Sequence, residues 1–355
     1  MFILQIRNMT ADETKTENIR KEVMQAGKDI RTQFPILKHQ NAIGFSIFLV
    51  SVLAIVLMSY GFIISKIPAW MMILSNAFWM SILHELEHDL IHFQYFKKNK
   101  IVQDFMLLVG WLLRPLTVNP WIRRHLHFHH HKFSGTLHDV EERGVTNGEK
   151  WGLKRLITTP DLLLGGILRT HLLARDIKNE VKAGHLPKAQ ALKFKKFSSL
   201  ALLPFGLIAY FMWYYFLVHY IVLAFTEVLG IPYQSPAWSV NIMEIISPIV
   251  LILLIPNLVR QFCLHFITSN MHYFGDVESG NIMQQTQVLT AGWTFPFQLF
   301  CFFFGHTHAI HHFVVNETFY IRHFTRKRAL QVMQKEGVRF NDMGTFRRAN
   351  RYLIS

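Results

Sequence analysis

The stretch SILHELEHDLIHFQYF, residues 81–96, closes an apolar run and carries two overlapping histidine patterns. The run before it, IPAWMMILSNAFWMSIL (67–83), is just long enough to cross a hydrocarbon core, which needs roughly 20 helical residues. Read from His84, HELEH is H-E-x-x-H, two metal-holding histidines with Glu85 as base. Read from His88, HDLIH is H-x-x-x-H. Residues at i and i+4 are neighbours on a helix, so His84, His88 and His92 form one stripe. Both registers stand open on spacing alone.

Outward from this stretch, NAIGFSIFLVSVLAIVLMSYGFIIS (41–65), 199–226 and 238–259 are also long and apolar enough to span. Only Lys66 and residues 227–237 separate the members of each pair, which gives two helical hairpins. Every lysine and arginine except Lys66 falls outside the spans and those connections. The positive-inside rule then puts both connections away from the cytoplasm and the rest of the chain in it. Two further apolar stretches are interrupted, 101–118 by Arg114-Pro115 and 286–305 by Pro296. A span at 101–118 would separate the histidines near 84–92 from those near 125–131 across the bilayer. Both stretches are therefore read as interfacial or buried in a cytosolic cap.

Composition agrees with a membrane protein that has a basic aqueous face. The chain has 355 residues, is 51% hydrophobic and carries a formal net charge of +14. Its mean hydropathy is nonetheless +0.21. A positive-inside excess accounts for that charge as well as an acidic partner or anionic lipid does. Cys263 and Cys301 form no C-x-x-C and no disulfide framework, so they identify no compartment. MFILQIRN (1–8) is too short an apolar run for a signal peptide and is assigned no role. Residues 1–40 are expected to form a cytosolic amphipathic helix at the surface, opened by a Thr10–Glu13 capping box. Residues 41–315 form the membrane domain, and 316–355 a basic cytosolic tail without an interpretable motif.

Most of the 20 histidines are clustered. Besides the first stripe, HLHFHHH supplies His127, His130 and His131, and HTHAIHH supplies His308, His311 and His312. Each trio is H-x-x-H-H, and i, i+3 and i+4 fall within about 100° of helical arc. His272, in SNMHYFGD, stands between the last two clusters. Two such trios and a stripe on one side of a membrane are hard to explain as packing. Imidazole suits zinc, copper, iron and nickel. A catalytic zinc uses three protein ligands, whereas about nine imidazoles are enough for two metals.

These residues resemble the integral-membrane fatty acid desaturase and hydroxylase superfamily, the histidine-box di-iron enzymes. HDLIH with the trailing FQYFKKNKIVQD resembles the first box, HFHHHK the second and HAIHH the third, while His272-Tyr-Phe-Gly275 resembles the family's extra histidine. The resemblance runs from about 41 to about 315. It implies an all-α membrane protein: four transmembrane helices under a helical cytosolic cap, with a histidine-rich di-iron site above a buried acyl channel. It also implies two non-haem irons, O2 as co-substrate, a lipid acyl substrate, and electrons from a separate ferredoxin- or cytochrome-type protein. The metal candidates are His84, His88, His92, His127, His130, His131, His272, His308, His311 and His312. The trailing segment favours His88 with His92; the alkane-hydroxylase branch would use His84 with His88, so all three are kept. Relatives carry an asparagine four residues before the extra histidine, where this chain has Thr268.

Second contacts to the imidazoles are expected from flanking carboxylates: Glu85, Glu87, Asp89, Asp139, Glu141, Glu142 and Asp276. The expected activity is O2-dependent oxidation of an unactivated acyl C–H bond, fatty acid desaturation first and hydroxylation second. One competing reading is a membrane zinc metalloprotease using His84-Glu85-x-x-His88, which leaves both H-x-x-H-H trios unused. The other is a metal transporter or sensor, which the near absence of ionisable residues in the spans (Glu244, His219) argues against.

Overall fold

A computed structural model describes residues 9–146 and 148–353; Met1–Asn8 lies outside the described residues. The chain runs through α1 (Ala11–Gln33), α2 (Gln40–Ile63), α3 (Ala69–Ile91), α4 (Lys100–Leu112), α5 (Pro120–Phe133) and α6 (Val140–Val145). It continues through α7 (Leu153–Thr158), α8 (Leu162–Lys182), α9 (Lys188–Leu200), α10 (Phe205–Val228) and α11 (Ala237–Ile249). A π-helical segment (Val250–Leu254) joins α11 to α12 (Ile255–Met271). Then come α13 (Ile282–Gln285), α14 (Phe295–Leu299), α15 (Phe304–Phe313) and α16 (Phe319–Lys335). Among the described residues there is no strand, only the isolated bridges His272–Thr286 and Val288–Phe340.

Among the described residues, three helices are long and apolar enough to cross a membrane: Gln40–Ile63, Phe205–Val228 and the continuous Ala237–Met271. The fourth stretch expected to span, 67–83, falls in α3, which packs along α2 and then continues into buried polar residues. Neither interrupted stretch forms a span. The α4 helix stops at Leu112, after about 20 Å of rise, and 286–305 breaks into two isolated bridge residues, a 3-10 turn, α14 and the start of α15.

The π segment follows from the prolines around it. Pro256 has no N–H, so the carbonyl of Ile252, four residues earlier, loses its helical donor. Asn76 of α3 is fully buried and supplies a replacement, its Nδ2 donating to that carbonyl over 3.1 Å. The same amide donates to Ser59 Oγ of α2 at 3.1 Å. One side chain thus ties three apolar helices where no water competes.

The shorter helices α5 and α15 carry the two histidine trios. The capping box of α1 forms, Thr10 and Glu13 each bonding the other's backbone N–H. The buried face of α1, Ile19 and Val23, packs in one core with Ala309 and Ile310 of α15 and Ala329 and Met333 of α16. The α1 helix is therefore docked by one face, and α16, within the segment read as a tail, is a core element.

Candidate metal centre

The first ligands come from α3. Its last turns are buried on every side, with His84, Glu85, Glu87, His88 and Asp89 all at 4% exposure or less. The α5 helix starts at Pro120 behind Asn119, whose side chain caps it. It projects His127, His130 and His131 towards α3. The α15 helix brings His308, His311 and His312 from the opposite side, and His272 caps the end of α12.

Nine histidines meet in two groups. His88, His92, His127, His131 and His311 form one; His130, His272, His308 and His312 form the other. Within each group the candidate ligand atoms lie within 4.8 Å of one another. In both trios the i and i+4 members share a group and the i+3 member crosses to the other. The helical period explains this, since i+4 lies about 40° to one side of i and i+3 about 60° to the other.

His84 belongs to neither group. Its Nε2 lies 3.0 Å from a guanidinium nitrogen of Arg123. Some of the histidines outside the ten candidates find other partners. His125 stacks on Phe197, and His129 Nε2 bonds the His138 carbonyl.

Carboxylates fix several rings. His127 Nδ1 bonds Glu141 and His130 Nδ1 bonds Asp139, each at 2.8 Å. His272 Nδ1 bonds the Thr268 carbonyl at 3.1 Å, with Glu142 at 3.5 Å. Each bond places the ring proton on Nδ1 and leaves the Nε2 lone pair facing the group, as a metal ligand requires. The other flanking acids serve elsewhere. Glu87 pairs with Arg114 and Arg123, Glu85 and Asp89 face Arg322, and Asp276 accepts the N–H groups of Tyr352 and Leu353.

The Nε2 atoms themselves call for a cation. Those of His272, His308 and His312 form a triangle with edges of 3.1–3.3 Å. Each Nε2 is either a donor or an acceptor. In a triangle two must be alike, so one edge always sets lone pair against lone pair or proton against proton. In the other group, His88 is buried with neither ring nitrogen bonded. Orphaned buried nitrogens of this kind are rare. Two all-imidazole sets, one buried and one partly exposed at His92 and His131, fit two borderline metal ions.

Electrostatics keep most rings ready to ligate. Burial first, then the Arg322 charge, pushes His92 down to about 3. Burial likewise holds His127, His131, His311 and His312 well below the ordinary range. His130 goes the other way: burial lowers it, but Asp139 with Glu141 and Glu142 lifts it to about 9. Burial, then Asp139, pushes Glu142 up to about 8.

Beside the groups opens a cavity of about 390 Å³. His88, His127, His130, His272 and His308 form one wall, and Leu126, Leu162, Leu163, Ile167 and Leu264 line its apolar part. The sequence-level reading passed over Arg322, which reaches Asp89 at 3.2 Å across 233 positions. It also passed over Arg114, Arg123 and Arg260, which line the cavity. No motif spacing marks any of them.

The sequence model of the family described as Fatty acid desaturase matches residues 65–344, well over half of the chain. The chain belongs to the fatty acid desaturase family. Membership makes it an oxidoreductase of membranes that acts on lipid acyl chains, by desaturation or hydroxylation. The match takes in α3 through α16, so Arg322 lies inside the desaturase region and not in an appendage. No curated protein and no solved structure matches the chain.

Proposed function

We propose that this desaturase-family protein binds two non-haem irons, one in each histidine group, and uses O2 to desaturate a lipid acyl chain. One observation carries the reading: nine imidazoles from four separate segments meet as two groups of five and four, the four buried and the five partly exposed at His92 and His131. The proposed ligands are His88, His92, His127, His131 and His311 for one ion and His130, His272, His308 and His312 for the other. His84 is assigned to the cavity wall. Bound iron would supply the binding and reduction of O2. The protein holds the imidazoles in their Nε2-facing tautomers through Asp139, Glu141 and Thr268, keeps bulk water from the groups, and seats one segment of an acyl chain along the apolar wall.

The electron balance is complete only with a donor. Reduction of O2 to two waters takes four electrons, of which loss of two C–H hydrogens yields two. A separate redox protein supplies the other two at the basic face, which we place in the cytoplasm on the charge distribution. On the same grounds we assign four spans, with the apolar part of α3 as the fourth. The zinc-protease reading needs His84 and His88 on one ion, and the Arg123 contact of His84 does not support it.

Expression in a host with simple lipids, followed by mass spectrometry of its fatty acids, tests the reaction. Loss of two mass units marks desaturation, and a gain of sixteen marks hydroxylation. Metal analysis of the same preparation should return two irons per chain; one zinc without iron would end the proposal.

A further inference from the structure

Arg260 is 1% exposed and lines the cavity beside the histidine groups. Its Nε donates to Asn257 Oδ1 at 3.0 Å, and its Nη1 has no partner. Among the described residues it has no carboxylate within ion-pair reach. Arg114, buried on the same wall, also leaves Nη1 unpartnered. A guanidinium is never deprotonated in proteins, so burying one without a counter-anion is strongly unfavourable.

The local charges do not cancel. Arg114 and Arg123 share Glu87, and Arg123 also approaches Glu141 at 3.6 Å. Three guanidinium groups thus face Glu87 and Glu141, one positive charge in excess, while Glu142, the remaining carboxylate of the lining, lies 3.5 Å from His272 Nδ1. The other arginines of the lining are provided for: Arg143 pairs with Asp176 and Arg169 with Glu149. Glu85 and Asp89 face Arg322 and do not line the cavity.

We propose that Arg260 and Arg114 form an oxyanion subsite in this cavity, and that its ligand is the free carboxylate of a long-chain fatty acid. The inference rests on reading the cavity as the acyl site and narrows the substrate to an unesterified acid. The guanidinium fork matches a carboxylate, and the leucine-rich wall accepts its chain. A thioester or ester has no anionic carboxyl oxygen to offer and leaves the excess charge in place.

Equilibrium binding to the purified full-length protein tests this without turnover, using palmitate, methyl palmitate and palmityl alcohol. Wild type should prefer palmitate over both neutral lipids by roughly tenfold or more, the usual worth of a charged hydrogen bond. Arg260→Met should bring the three within about twofold of one another, and Arg260→Lys should keep much of the preference. Equal binding of acid and ester by wild type, or an unchanged preference in Arg260→Met, would overturn the proposal. Ligand-free Arg260→Met should melt no lower than wild type, because it removes an unpaired buried charge; should it fail to fold, the wild-type acid-to-ester ratio still decides. Acetate identifies the source of the anion. If it stabilises wild type but not Arg260→Met while palmitate binds no better than its ester, the subsite holds a small free carboxylate and the lipid assignment falls. Iron content is measured separately, so loss of the di-iron reading and loss of this one are told apart.

Discussion

At the scale of single residues, His84 and His88 differ by one helical turn and should behave differently. His88→Ala removes an imidazole whose nitrogens have no hydrogen-bond partner and should lower iron content sharply. His84→Ala should leave iron content near that of the wild type. Elemental analysis of the two variants decides, and equal loss would return His84 to the ligand set. The sequence could not make this choice. The stripe from His84 to His92 rises about 12 Å, so its two ends cannot share one ion, and only one end meets the trios of α5 and α15. Which end depends on where α5 and α15 meet α3, and that is tertiary information. Behind the ligands, Asp139→Asn should weaken metal binding by roughly 10–100-fold in chelator competition, since Asp139 orients His130.

At the scale of elements, α16 packs against α15 and sends Arg322 to two buried acids of α3. Arg322→Met would leave Glu85 and Asp89 without their cation and should cost about 3–5 kcal/mol. Adding Asp89→Asn should restore part of that loss, which a double-mutant cycle would measure. Asn76→Leu removes the donor that answers the missing N–H of Pro256. Its expected cost is about 1 kcal/mol in unfolding from micelles. These elements differ in how far the sequence reveals them. The apolar runs of α2 and α10 and the i, i+3, i+4 trios are local and periodic, so composition and spacing expose them. Arg322 shows only as one basic residue among several in RHFTRKR, because its meaning lies in a partner 233 positions away. The docking of α1 was half legible: the capping box was plain, but not the surface that its apolar face would meet.

At the scale of the whole molecule, the metal-free protein should be stable only within a pH window. Histidines pushed below their ordinary value bind fewer protons folded than unfolded, so their contribution is complete above about pH 6.5 and shrinks as pH falls. For His92 that loss continues down to about 3. His130, raised to about 9, contributes below about 6.5 and loses its share as pH rises through about 9. Melting temperatures of chelator-stripped protein should therefore fall on both sides, more steeply on the acid side, where several histidines act together. A flat profile from pH 4 to 7 would contradict the neutral imidazole cluster. The α5 and α15 helices each divide their histidines between the two groups. Seating the first ion sets the pitch and rotation of both helices, and so prepares the second nest before anything enters it. Iron titration should then be sigmoidal, with singly loaded protein scarce at every ratio.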